Sequence, residues 1–172
     1  MLNNNDLFAN EKNEIKLLLD NPNMVNDKPI EVMRLYIKYL CNNYENKEDI
    51  EKEELFLGEI NGAIACAFVI NEEYDEEYND ANWEYKNSKF KVIHRLCVNV
   101  GFQNMGIGKR VMKIIEEELR KENVECIRLD TFSKNPFSIK LYENIGFKKV
   151  GEANWRKGLF NIYEKNILKV YN

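Results

Sequence analysis

Gln103-Asn104-Met105-Gly106-Ile107-Gly108 is the stretch on which the reading of the fold turns. Before it lies an apolar run over 90–100 that predicts a strand. After it, Ile107, Val111, Ile114, Ile115 and Leu119 share one helical face and predict a helix over 107–123. A strand that runs through glycines into a helix start builds an anion site. Gly106 and Gly108 let backbone N–H groups turn inward, and the helix dipole adds partial positive charge. Lys109 and Arg110 in the first turn oppose that dipole, yet suit a neighbouring pyrophosphate. A strand–helix turn needing glycine for tight packing accounts for the fragment equally well. Two familiar phosphate loops are excluded. Val111 stands where a dinucleotide fingerprint has its third glycine, and the Gly-Lys-Ser/Thr ending of a P-loop is missing.

Working outward, Asn61-Gly62 joins two strand-like runs at 54–60 and 63–70, because both residues tolerate the positive φ of a tight hairpin. Downstream, 125–131 is strand-like. Asn135-Pro136 opens a helix as N-cap and first residue, and Gly146 closes it. Two last strands are expected at 147–150 and 159–165. Toward the N-terminus, Ile15, Leu17, Leu18 and Leu19 predict a helix ending at Asp20-Asn21-Pro22. Ile30, Met33, Leu35, Ile37 and Leu40 predict another behind Pro29. Residues 10–45 are therefore expected to be helical. Glu72, Glu73, Asp75, Glu76, Glu77 and Asp80 crowd one base-free segment, which predicts an exposed, self-repelling loop. There is no internal repeat or linker, so 1–172 reads as one domain, α/β or α+β, around one sheet.

Composition narrows the function. A chain of 172 residues buries about 70% of its unfolded surface and needs no disulfide or metal staple. Lys plus Arg number 25 against 29 Asp plus Glu, a net charge of −4, which argues against nucleic acid or an anionic membrane as partner. Cys41, Cys66, Cys97 and Cys126 form no Cys-x-x-Cys pair and His94 is the single histidine, so no metal site is expected. Three of the cysteines sit in apolar runs, which predicts reduced, buried thiols. The N-terminus does not read as a signal peptide, and the longest apolar run falls far short of the roughly 20 residues that span a bilayer. The expectation is a soluble, cytoplasmic protein.

Taken together, Ile93-His94-Arg95-Leu96-Cys97-Val98, Gln103-x-x-Gly106-x-Gly108, Arg128-Leu129-Asp130-Thr131 and Asn135…Leu141-Tyr142-Glu143…Gly146-Phe147 closely resemble the GNAT superfamily of N-acetyltransferases. The resemblance is firm over 90–151 and weaker over 55–70 and 159–165. It implies a single α/β domain whose mixed, twisted central sheet is flanked by helices and splays at its central strands. It also implies acetyl-coenzyme A as co-substrate, no metal, and direct transfer to a primary amine of a small molecule or peptide in a ternary complex. Carried residue by residue, backbone groups of Leu96, Cys97 and Val98 would pair with the pantetheine arm as an added strand. Amides of Gln103, Asn104, Met105, Gly106, Ile107, Gly108 and Lys109 would hold the pyrophosphate. Asn135 would bind the coenzyme arm, and Tyr142 would face the thioester sulfur. Val100 stands where many family loops have proline. The resemblance makes 10–45 part of the acceptor side and admits a homodimer. A non-catalytic acyl-coenzyme A-binding module is the alternative.

The candidates have chemical reasons and bland rivals. The Tyr142 phenol can protonate or hydrogen-bond a leaving thiolate, and otherwise it is a core aromatic. His94 can take the acceptor's proton, or simply brace the sheet, and Glu84 is a second candidate base. Arg95, Arg128 and Asp130 are expected to pair with one another across adjacent strands, the rival reading being that they bind a carboxylate on the acceptor. Cys97, between Leu96 and Val98, reads as a buried spectator thiol. The acidic loop, interleaved by Tyr74, Tyr78 and Trp83, is either solvating or a lip over the acceptor pocket.

Overall fold

The computed structural model describes residues 17–18, 34–37, 49 and 52–168. In chain order the elements are β1 (Leu17–Leu18), β2 (Arg34–Ile37), β3 (Leu55–Ile60), β4 (Ala63–Asn71), β5 (Phe90–Val98), α1 (Ile107–Lys121), β6 (Cys126–Phe132), α2 (Pro136–Asn144), β7 (Lys148–Trp155) and β8 (Gly158–Asn166), with short 3-10 turns at Glu76–Asp80 and Val100–Phe102. The eight strands form one sheet in the order β1-β2-β3-β4-β5-β6-β8-β7. Six of them are six residues or longer, and β1 and β2 are short additions at one edge. Every neighbouring pair is antiparallel except β5–β6. This is the expected mixed α/β sheet.

The turn chemistry places the elements as the sequence predicts. Asn61 (φ 52) and Gly62 (φ 80) close the β3–β4 hairpin. Asn135 caps α2 by accepting from the Ser138 N–H, Pro136 follows in the first turn, and Gly146 exits at φ 93. The amphipathic face of α1 buries Ile107, Val111, Met112, Ile114, Ile115 and Leu119. They pack with Ile93, Ile127, Leu129 and Tyr142 into the main core. The other face of the sheet carries a smaller core of Tyr78, Ala81, Val92, Ala153 and Ile162. No helix covers it among the described residues. The segment 72–85 does.

The N-terminal expectation is corrected where it can be read. Leu17–Leu18 and Arg34–Ile37 are strands, not helix: β1 pairs with β2, and β2 pairs with Phe56–Glu59 of β3. Clusters such as Leu35, Tyr36 and Ile37 suit either period. The open ladder of β3 decides between them, because its backbone groups gain partners from an added strand. The rest of the helix expected over 10–45 lies outside the described residues.

Two irregularities at the centre of the sheet matter most. The β5–β6 register runs from Phe90↔Cys126 to Ile93↔Leu129 and stops there. Beyond that point β5 stays with β4 (Val69↔His94 to Cys66↔Val98), and β6 stays with β8 (Asp130↔Ile162 to Phe132↔Phe160). The sheet forks between His94 and Asp130. Within β5, the two residues between His94 and Cys97 oppose the one between Val69 and Ala67, so β5 carries a bulge in which Arg95 takes a φ of 54.

Candidate functional site

The fork leaves one edge of β5 unpaired beyond Ile93. Asn99 N–H donates to Ala65 O, so the alternation of the ladder turns the polar groups of Val98 the opposite way. There Gln103 Nε2 donates to Val98 O at 3.2 Å. An extended chain laid in the fork would meet this edge as a neighbouring strand, on Leu96 to Val98 as the resemblance implies. Gln103 thus meets the edge through its side chain as well as lying in the anion loop.

At the open end of β5 the chain turns through Val100–Phe102 and then Gln103 to Gly106 into α1. Asn104 (φ 62) and Gly106 (φ 73) take left-handed conformations, and Gly106 is the N-cap, with no side chain closing the first-turn amides. A Cβ at Gly106 would meet nothing within 4 Å, whereas one at Gly108 would sit 3.0 Å from Leu141 Cδ2. The two glycines therefore do different work. Gly106 turns the backbone, and Gly108 lets α1 approach α2. Gln103, Asn104, Met105 and Lys109 are exposed, and Ile107 is a core residue. In the first turn of α1, Arg110 Nη1 is buried with no hydrogen-bond partner. Open amides, a dipole and an orphaned guanidinium nitrogen fit a pyrophosphate. Asn135 has a local role that was only half anticipated. Its Oδ1 accepts from Ser138 N and its Nδ2 donates to Ser138 Oγ, so its amide is spent on the cap.

Tyr142 approaches the fork from the α1/α2 face. It is buried between Phe147 (centroids 5.7 Å) and Tyr163 (6.2 Å). Burial, helped by the charge of Asp130, pushes its hydroxyl up to about 12. His94 and Asp130, the first residues past the end of the β5–β6 ladder, lie on the other face. His94 Nε2 is 2.9 Å from Asn71 Oδ1 and 3.1 Å from Glu73 O. Asn71 Oδ1 also accepts from Glu73 N–H, while Asn71 Nδ2 donates to Glu54 Oε2. Both partners of Nε2 are acceptors, so Nε2 carries the proton and the lone pair of neutral His94 is on Nδ1.

Several expectations change. Arg95, Arg128 and Asp130 do not pair with one another. Arg95 pairs with Asp49. Arg128 lies between the rings of Trp83 (4.0 Å) and Phe90 (3.8 Å) with Glu164 beside it. Asp130 Oδ2 accepts from Tyr78 OH at 2.8 Å. The bulge turns Arg95 out of the alternation that had suggested the pairing. Glu84 is not brought to His94. It meets Lys148, Tyr85 and Glu164 beside the closed part of the sheet. The acidic segment is partly neutralised, by Lys91 on Glu72 (2.9 Å) and Lys52 on Glu73 (2.8 Å). Its aromatic residues clamp it to the sheet: Tyr78 is buried, and Trp83 Nε1 donates to Tyr78 O. Sequence reasoning missed the Tyr78–Asp130 contact. Tyr74 and Tyr78, two aromatic residues set in a run of acids, were the available signal.

The cysteines also divide. Cys66 and Cys126 are buried, but Cys97 is exposed, because past the fork β6 no longer covers this part of β5. Cys41 lies outside the described residues. Burial pushes the Cys66 thiol up to about 12, and burial followed by the charge of Glu164 pushes Cys126 upward. Iodoacetamide at neutral pH is accordingly expected to alkylate Cys97 at least about tenfold faster than Cys66 or Cys126, read by peptide mass spectrometry. Equal rates would contradict this burial pattern.

Among the described residues no group of three or more His, Cys, Asp or Glu is arranged to hold a metal ion, and no helix is long and apolar enough to cross a membrane. Against known proteins, the sequence profile described as the acetyltransferase (GNAT) family matches residues 20–147. The chain is 30% identical over 66 residues to S-(2-succino)cysteine N-acetyltransferase of Bacillus subtilis (strain 168), which covers 37% of this chain. The match spans 40% of that relative's length. A GNAT-family acetyltransferase structure from Listeria monocytogenes superposes with a TM-score of 0.58 at 27% identity, over 72% of this chain and 70% of that one. The structure of the NatC complex bound to Gag peptide and CoA superposes with a TM-score of 0.57 at 16% identity, over 72% of this chain and 78% of that one, a likeness of fold.

Proposed function

The chain belongs to the acetyltransferase (GNAT) family, and on that premise we propose that it transfers an acetyl group from acetyl-coenzyme A to a primary amine of a small molecule or peptide, directly, in a ternary complex. The fork between β5 and β6, opening toward the uncapped start of α1, carries this reading. The open edge of Leu96, Cys97 and Val98 takes the pantetheine arm as an added strand. Backbone amides from Gln103 to Lys109, together with Arg110, hold the pyrophosphate. Bound there, the coenzyme supplies an acetyl group activated as a thioester.

The chain's own residues then act at two points, the amine and the sulfur. His94 Nδ1 accepts the proton that the acceptor amine must shed before it attacks. Tyr142 donates a hydrogen bond to the sulfur as the thiolate leaves. A phenol held near 12 is a weaker acid than a thiol of about 8.5, so Tyr142 steadies the thiolate and does not hand over its proton fully. Cys97 forms no acyl bond in this scheme. The cytoplasm, where thiols stay reduced, is the compartment that suits the protein.

Calorimetry against acetyl-coenzyme A, coenzyme A and ATP, followed by a thiol-release screen over an amine panel, tests the proposal. Acetyl-coenzyme A is expected to bind and amines to release thiol. Tighter binding of ATP would overturn it, and binding without turnover on any amine would leave a coenzyme-binding module instead. Replacing His94 with Ala is expected to flatten the limb of the kcat/KM–pH profile that reports a base. An unchanged profile removes His94 from the mechanism.

A further inference from the structure

We infer that Asp130 is the docking group for the acceptor's ammonium, and that the rings around it select a primary amine carried on an apolar or aromatic stem. The inference rests on the acetyltransferase reading and adds the chemistry of the acceptor. Asp130 and His94 face each other across the mouth of the fork, and Tyr142 reaches the same point from the opposite face of the sheet. One oxygen of Asp130 is fixed by the Tyr78 hydroxyl at 2.8 Å, and the other has no hydrogen-bond partner among the described residues. The surroundings are aromatic. Trp155 lies 6.3 Å from Tyr78 and 5.0 Å from Phe160, and Phe132, two residues along the same face of β6, lies 5.4 Å from Phe160.

Asp130 is only partly buried and this oxygen is open to the fork, so an arriving ammonium meets a carboxylate that is held on one side, aimed on the other and weakly screened by the rings around it. Burial already pushes the Asp130 carboxyl upward, held back by the Tyr78 hydrogen bond and the charge of His94, while Asp75 adds to the rise. The partly exposed rings of Trp155, Phe160 and Phe132 suit both a cation and an apolar stem, while the buried Tyr78 serves only to orient the carboxylate. From this position the ammonium gives one proton to His94 Nδ1. The neutral amine then has a lone pair free to form the new N–C bond as the C–S bond breaks, and the second proton that this nitrogen sheds goes to the departing thiolate. The acidic loop is a poorer anchor for a polyamine, since Glu72 and Glu73 already hold Lys91 and Lys52.

The test uses the full chain at pH 7 with three probes: 2-phenylethylammonium, its uncharged analogue 2-phenylethanol, and spermidine. Binding is followed by the carboxyl resonance of Asp130 and by tryptophan fluorescence. The wild type is expected to prefer the ammonium to the alcohol by at least about tenfold, Asp130→Asn to reduce that preference to about twofold or less, and Tyr78→Phe to reduce it partly. The ratio of the two probes within one variant cancels any loss of folded protein. No preference in the wild type, a preference that survives Asp130→Asn, or tighter binding of spermidine would each overturn the inference. Acetyl-coenzyme A calorimetry on the same samples separates the two readings. A wild type that fails to bind the coenzyme removes the transferase, while the ammonium preference is still measured.

Discussion

Replacing Tyr142 with Phe is expected to lower kcat about a hundredfold while leaving KM for acetyl-coenzyme A within about threefold. The ring is buried at 6% exposure and packs edge-on against Phe147, a contact that phenylalanine keeps. The hydroxyl has no hydrogen-bond partner among the described residues, so removing it breaks no structural bond. Only a donor aimed at a developing charge is lost. That charge appears on the sulfur as it leaves, so the effect falls on kcat and not on coenzyme binding. Because the phenol sits at about 12, the wild-type donor stays protonated throughout the neutral range, and the loss is expected to be the same at pH 6 as at pH 9. Steady-state kinetics with any acceptor found by the amine screen decides it. A kcat within about threefold of wild type would leave Tyr142 as a core aromatic.

The second large effect concerns stability. Glu164→Ala is expected to cost about 3–5 kcal/mol, seen as a lower urea midpoint at unchanged slope. Arg128 and Glu164 are 4% and 2% exposed, with Nε and Oε1 3.8 Å apart. Arg128 is held between Trp83 and Phe90 and donates to Tyr85 O at 3.3 Å, but its Nε has no hydrogen bond. Glu164 supplies the opposing charge and also accepts from Glu84 N–H at 2.9 Å. Removing the carboxylate strands a guanidinium in an apolar layer. Removing both charges together, as Arg128→Met with Glu164→Leu, is expected to recover most of the loss, because the penalty belongs to the unpaired charge. A single variant within about 1 kcal/mol of wild type would show that water reaches Arg128.

Much of the fold was legible because it is written in local patterns. The three-four spacing of Ile107, Val111, Ile114 and Ile115, the Asn61-Gly62 turn and the Asn135-Pro136 cap each act within a few residues, and each appears where the pattern puts it. The N-terminal strands were misread for the converse reason. Leu35, Tyr36 and Ile37 fit both periods, and only the open ladder of β3, some twenty residues away, selects the strand. Of the candidate site, the loop of Gly106 and Gly108 and the positions of His94 and Tyr142 were readable as parts. Their relation to one another was not.

The sequence by itself therefore determined the order of elements, the glycine-led entry into α1 and the family resemblance, since these depend on spacing and turn chemistry over short stretches. Tertiary structure alone decided where β5 and β6 part. It exposed Cys97, turned Arg95 out through the bulge, and set Tyr78 on Asp130 across 52 residues of chain. A ladder ends where neighbouring strands each keep their outer partners and diverge. A buried carboxylate takes whichever donor the packed loop brings to it. Neither outcome leaves a period in the sequence.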